Sequence, residues 1–328
     1  MGIFVYLPLV LPLTALPVAR LAAHHLHPRS ATRLLAVAGT TLALCSTLCL
    51  ALLMVVGTAQ LPGNPLPDGW SDPQVRAALP YEDRTGLVAI GVLASVVVAC
   101  ATTLVRHVRT RAAAARALNT PGASGGSGTS WSTAGRGFEV SVVESPTPYA
   151  YALPGGPRGG TGRVVVSSGL LGCLEPVEQQ ALFAHERAHL AGRHHRYLLL
   201  TQLSARANPF LVPLRTAVAY SIERWADEEA ARAVGSRRAV ARAVGKAALV
   251  SARAPYGGPA AFAGAAGPVP RRVAALLDSA PASRFWPPSS AHLLLAALTA
   301  LVGTTVSALS SVNATVALVR ILHAANSL

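Results

Sequence analysis

Acidic side chains are scarce: 14 Asp and Glu stand against 28 Lys and Arg in 328 residues, for a formal net charge of +14. Lysine is nearly missing as well, with Lys246 alone, so arginine carries the positive charge. Charged residues make up only 13% and hydrophobic ones 52%. With a mean hydropathy of +0.43, this is unlike a soluble enzyme, and membrane spans are expected. Aromatic residues are few, at 5%, and no basic platform interleaved with aromatics and no zinc-finger spacing accompanies the arginines. That disfavours nucleic-acid binding, whereas arginines flanking membrane spans explain much of the charge. The four cysteines, Cys45, Cys49, Cys100 and Cys173, include no C-x-x-C pair. Three lie in apolar runs, so neither a structural disulfide nor a cysteine-ligated zinc is expected.

What is present is a set of four long apolar runs. Residues 3–23 are interrupted by Pro8, Pro12 and Pro17, with Arg20 near their end and Arg29 and Arg33 after them. They are long enough to span, prolines are tolerated in such helices, and no basic region precedes them as in a signal peptide. Residues 34–56 carry no charge, and residues 86–105 end in Arg106, Arg109, Arg111 and Arg116. Between these two, residues 57–85 are Pro-rich and hold four acidic side chains, which suits an external loop. Residues 292–319 form a fourth uncharged run. Because basic residues stay cytoplasmic, the N-terminus is expected outside and the segment after the third span inside; Arg320 alone opposes this. The expected location is a bacterial-type plasma membrane, crossed several times.

Residues 1–118 are thus read as three spans with their external loop, 119–137 as a flexible Gly/Ser/Thr linker, 138–290 as a cytoplasmic domain, and 291–328 as a fourth span with a short tail. The domain opens with three short β-type runs, at 138–144, 149–153 and 163–167. Such a small sheet could hold a substrate peptide by strand addition or serve structure alone. Residues 197–218, interrupted at Asn208-Pro209, contain Arg206 and Arg215, so they are expected to pack on the domain or lie along the membrane surface rather than cross it. An Ala/Arg helix at 230–252, a Gly/Ala/Pro loop at 256–270 and a short helix at 271–277 follow.

Within the domain, residues 181–190 read A-L-F-A-H-E-R-A-H-L. His185 and His189, four apart on a helix, project from one face and can reach one tetrahedral Zn²⁺, while Glu186 is placed as general base. Pro176 suits the first turn, Glu178 favours the positive N-terminal end, and Gly192 offers a stop. A catalytic zinc takes three protein ligands and leaves one position open. Glu223 is read as the third ligand, and Asp227, four residues on, as an acceptor that orients a ligand histidine through its other ring nitrogen. A solvated acidic face is the alternative for both. His194, five residues past His189, is displaced from the ligand face. His194, Tyr220 and Arg224 are candidates for substrate or oxyanion contacts. One Zn²⁺ per chain is expected. The implied chemistry is metal-assisted amide hydrolysis, in which Glu186 takes a proton from the attacking water and delivers it to the leaving amine. A catalytically silent signalling scaffold with structural zinc is the rival reading, but such a site needs no base and usually closes with a fourth Cys or His.

This arrangement resembles the BlaR/MecR-type membrane zinc peptidases. The likeness runs through Y-A-Y-A-L-P-G at 149–155, V-V-V-S-S-G-L-L at 164–171, residues 176–195 with the histidine pair, Asn208-Pro209, 223–227 and 271–277. It implies a mainly α membrane protein of about four spans, with a zincin-like α+β metallopeptidase domain inserted between the third and fourth. It further implies His185, His189 and Glu223 as zinc ligands, Glu186 as catalytic base, and regulated cleavage of protein substrates, transcriptional repressors among them. Those sensors carry an external penicillin-binding domain after the last span; here the sequence stops at Leu328, so β-lactam sensing is not expected. HtpX-type membrane peptidases are the nearest rival family and would imply quality control of membrane proteins.

Overall fold

The computed structural model describes residues 5–59, 82–119, 130–131, 138–155, 162–253, 269–281 and 291–325. The expected external loop and the 256–270 loop fall almost entirely outside these residues. The 119–137 linker does too, except for Asn119 and a short strand at its centre.

The N-terminal apolar run does not form one helix. Its prolines divide it into α1 (Leu7–Val10), a 3₁₀ turn (Leu11–Thr14) and α2 (Ala15–His25), because each proline removes a backbone donor and crowds the preceding turn. The long helices are α3 (Pro28–Ala59), α4 (Glu82–Asn119) and, near the C-terminus, α11 (Ala291–Ala325). Among the described residues these three are long and apolar enough to cross a membrane, with mean hydropathies of 2.3, 2.5 and 1.5 in their most apolar stretches. The segment Leu7–Ala22 is apolar but shorter than a full span. Three such helices therefore stand where about four were expected.

Side chains such as Val37, Leu44, Val97, Val98, Leu301 and Leu309 are exposed on these helices. An apolar exterior of this kind suits lipid rather than water. The inner faces close through small residues: where α3 and α4 cross, Gly57 and Gly86 approach so closely that neither has room for a Cβ. This is the close backbone contact that small residues permit between helices in lipid.

The remaining elements carry the sheet and the helices that bear the histidines and acidic residues. A four-stranded sheet has the order β1-β2-β4-β3, from β1 (Ser130–Trp131), β2 (Phe138–Val143), β3 (Ala150–Leu153) and β4 (Gly162–Ser167). β2 and β4 are parallel; β1 and β3 pair antiparallel on the outside. The three expected strands are thus present within a residue or so of their bounds, and β1 adds a strand inside the segment read as linker. Val164 and Val166 of β4 pack with Leu170, from α5 (Ser168–Leu171), and Leu174. Leu182, Phe183 and Leu190 of α6 (Pro176–Ala191) lie against this cluster.

Next come α7 (His194–Ala207), a 3₁₀ turn (Pro209–Leu211) and α8 (Val212–Val234), which form a hairpin, then α9 (Arg237–Arg253) and α10 (Val269–Leu277). The hairpin packs against the apolar bundle. Leu211, Leu214, Val218 and Ile222 share one core with Leu35 and Leu42 of α3 and with Val18 of α2. Leu214 lies 3.6 Å from the Cβ position of Gly39, whereas Trp225 meets Arg29 and Arg33 at the start of α3. α8 therefore runs antiparallel to α3, and the hairpin tip reaches toward the middle of that helix, where the Asn208 amide donates to the Leu9 carbonyl (3.4 Å). The hairpin returns on itself, which keeps Glu223 on the same side as α6.

At the start of α6, Glu178 is fully buried and accepts from the Glu175 backbone N–H at 3.0 Å, from Lys246 Nζ at 2.7 Å and from Arg242 Nε at 3.3 Å. Burial alone would raise its pKa, but these donors hold it below the ordinary 4.5. A carboxylate depressed on folding stabilises the fold above its unfolded pKa and loses that contribution as pH falls through its folded value. Glu178→Gln is therefore expected to cost about 1–3 kcal/mol at neutral pH. The gap between variant and wild type should close as denaturant melts are repeated at pH values falling below 4.5.

Candidate active site

Two helices build the site. α6 begins with Pro176 and the Glu178 cap and presents His185, Glu186 and His189; α8 crosses it and presents Glu223 and Asp227 one turn apart. His185, Glu186 and Asp227 are buried, and His189 and Glu223 are largely so. Ala181 and Ala184 of α6 pack with Ala230 and Ala231 of α8 and with Val240 of α9. Those small side chains allow the close approach that brings the ligand atoms together.

The two Nε2 atoms of His185 and His189 are 3.1 Å apart. Glu223 Oε2 lies 3.5 Å from His185 Nε2, and Oε1 lies 3.7 Å from His189 Nε2. Donors on a tetrahedral zinc with bonds of about 2.0–2.1 Å are separated by about 3.3–3.4 Å, so one ion fits among these three. Each Nδ1 is held from behind: that of His185 is 3.1 Å from Asp227 Oδ1, and that of His189 is 2.9 Å from His194 Nδ1. Held this way, both rings turn Nε2 toward the common centre.

The electrostatics fit a cation. Burial opposes charge on His185, yet Asp227 and Glu223 push its pKa up to about 10, so the site favours positive charge at this position. Glu223 is drawn down to about 2 despite burial, by His189, His185 and Arg272. Burial lowers His189 to about 4 and His194 to about 2, which keeps both rings neutral. A neutral His194 can accept the His189 Nδ1–H through its own Nδ1 and leave the His189 Nε2 lone pair free. Glu186 moves the other way, to about 7, through burial and the nearby Glu223, partly offset by His185, Arg272 and the Ala152 backbone N–H.

Arg272 of α10 completes the arrangement, and the sequence reading had assigned it no role. Its Nε and Nη2 donate to the two oxygens of Asp227 at 2.9 and 2.7 Å, and its Nη1 lies 3.0 Å from Glu223 Oε2. One guanidinium thus fixes both carboxylates, a bidentate geometry unavailable to lysine. The sequence signal was only a short helix at 271–277 with an arginine near its start.

The other candidates lie elsewhere. His194 is buried against His189 and Trp225 rather than facing open space. Arg224 reaches Glu228 at 3.3 Å, and Arg271 lies over the Tyr220 ring at 5.8 Å.

Residues 129–212 match the family model for Peptidase family M48. The match takes in the sheet, α5, α6 and α7, with His185, Glu186, His189 and His194, and ends before Glu223. It supports a membrane-type metallopeptidase, and it does not single out the BlaR/MecR-type proteins. No curated protein and no solved structure matches the chain.

The tight link between α6 and α7 positions His194. Arg193 adopts left-handed φ/ψ, and a Cβ on Gly192 would overlap the His194 imidazole. His194→Ala and Gly192→Ala are both expected to weaken zinc affinity about ten- to a hundredfold, as read by competition with a chromophoric chelator. Full affinity in both variants would remove His194 from the support of His189.

Proposed function

We propose that this protein is a zinc-dependent endopeptidase of the plasma membrane whose site faces the cytoplasm and cleaves membrane-proximal polypeptide. The observation that carries this reading is the buried Glu186 beside three convergent ligand atoms. A structural zinc has no use for a buried carboxyl group beside its ligands, whereas a hydrolytic site needs one as general base. The cytoplasmic orientation rests on the arginines that follow α4's apolar stretch and flank the start of α3.

When bound, zinc supplies a Lewis acid that activates water and polarises the scissile carbonyl. His185, His189 and Glu223 would hold it, with Asp227, His194 and Arg272 orienting them. Glu186 would accept the proton of the attacking water and pass it to the departing amine. The unpaired side of β3 runs beside Glu186, whose carboxylate the Ala152 N–H reaches. An extended substrate adding to this edge would place its scissile bond at the metal while leaving side-chain demands loose. The BlaR/MecR resemblance adds regulated cleavage of a cytoplasmic repressor as the physiological role; the HtpX-type resemblance would make misassembled membrane proteins the substrate.

Metal analysis of the full chain in detergent should find close to one zinc in the wild type and in Glu186→Gln, and far less in His185→Ala and Glu223→Ala. Cleavage of an unfolded protein substrate should fall roughly a hundredfold or more in Glu186→Gln. Undiminished zinc in Glu223→Ala would refute the ligand set, and undiminished cleavage in Glu186→Gln the mechanism.

A further inference from the structure

A second cavity, of about 1390 Å³, opens on the face of α6 opposite the ligand cluster. Its walls are α4 just past its apolar stretch, the C-terminal half of α6, the first turns of α7, and Trp225 of α8. Arg29, at the start of α3, also lines it. Because α3 begins and α4 leaves the bundle at this same end, the cavity sits at the bilayer boundary.

Its charge is one-sided. Arg29, Arg111, Arg187, Arg193 and Arg196 line it, and none forms an ion pair among the described residues. Arg29 and Arg187 lie over the rings of Trp225 and Phe138, and Arg111 makes only long contacts, 3.4 and 3.5 Å, to the carbonyls of Pro154 and Gly155. The lining carboxylate, Glu229, is already engaged by Arg232 at 2.8 Å and by the Trp225 indole N–H at 3.0 Å. His107 Nε2 and His195 Nδ1 are buried there without a hydrogen-bond partner. Burial and the surrounding arginines lower His195 to about 4. Buried polar atoms left unpaired in a native fold call for a partner.

The same cavity is apolar on its membrane side, through Leu104, Val108 and Leu199. A water-soluble anion would use the arginines and leave this wall idle. A lipid uses both, with its headgroup phosphate among the guanidiniums and its acyl chains along the apolar stretch of α4.

We propose that this cavity is a binding site for an anionic phospholipid, with Arg111 and Arg196 as headgroup contacts. The site is separate from the metal cluster and rests only on the membrane reading, so it stands or falls independently of peptidase activity. A bound headgroup would add to the direct α4–α7 contact and tie α4 to α6 as well.

Native mass spectrometry of the full chain in neutral detergent tests it, with phosphatidylglycerol as probe and phosphatidylcholine as control. Phosphatidylglycerol should bind and phosphatidylcholine should not. Affinity should fall about tenfold or more in Arg111→Gln/Arg196→Gln, while Arg111→Lys/Arg196→Lys keeps most of it. Arg196 is exposed, so Arg196→Gln alone, with severalfold weaker binding, gives the same reading if the double variant does not fold. Equal binding of both lipids, or wild-type affinity in the Gln variants, overturns the proposal. Displacement of phosphatidylglycerol by millimolar inorganic phosphate would make the cavity a free-anion site and overturn the lipid assignment.

Discussion

The Asp227 carboxylate is the contact on which the site depends. It has no exposure to solvent and would be costly to bury alone. Arg272 meets it with two hydrogen bonds, and His185 Nδ1 lies on the same oxygen as one of them. A single buried anion therefore orients one ligand ring and anchors the guanidinium that also holds Glu223. Removing any member leaves another buried charge uncompensated, which is why such networks act as units rather than as sums of pairs.

Around that anion the site is divided by protonation behaviour. Burial lowers His189 and His194 and raises Glu186, while the carboxylates overcome burial to raise His185. The two ligand histidines are thus held by different partners: one by an anion, the other by a neutral ring. An anion behind a ligand makes it a stronger donor; a neutral imidazole fixes its orientation with little change in charge. The cluster as a whole carries more acid than Arg272 can balance, which leaves a place for a cation.

Local patterns were legible in the sequence wherever chemistry is periodic. The i, i+4 spacing of His185 and His189, that of Glu223 and Asp227, and the three β-type runs follow from one-turn or two-residue repeats, and Pro176 with Glu178 marks the start of α6 by the charge and backbone preferences of a helix N-terminus. Arg272 was not legible, because its role depends on α10 folding back across residues with no periodic signal. The break-up of the first apolar run was signalled by Pro8, Pro12 and Pro17, but length and hydropathy outweighed them in the reading. The strand Ser130–Trp131 was hidden by its Gly/Ser/Thr surroundings, which carry the composition of a linker.

Least legible was the place of the α7–α8 hairpin. Arg206 and Arg215 point to helices packed on the domain or lying along the membrane surface, and both are exposed on a hairpin whose opposite face packs on α3. Long arginine side chains can carry their charge toward an interface while the backbone sits deeper, so the charges limit which face is buried rather than how far the hairpin reaches. The consequence is mechanical. Ile222, in the core shared with Leu35 of α3, directly precedes Glu223, and Trp225 between Glu223 and Asp227 lies beneath Arg29 and Arg33. Glu223 is therefore braced on two sides, by the core that α8 shares with α3 and by the α6–α8 alanine contact with Arg272, while the two histidines rest through α6 on the sheet as well. Close-packed helices shift as bodies rather than deform, so the Glu223–histidine distances depend on how α3, α6 and α8 seat on one another.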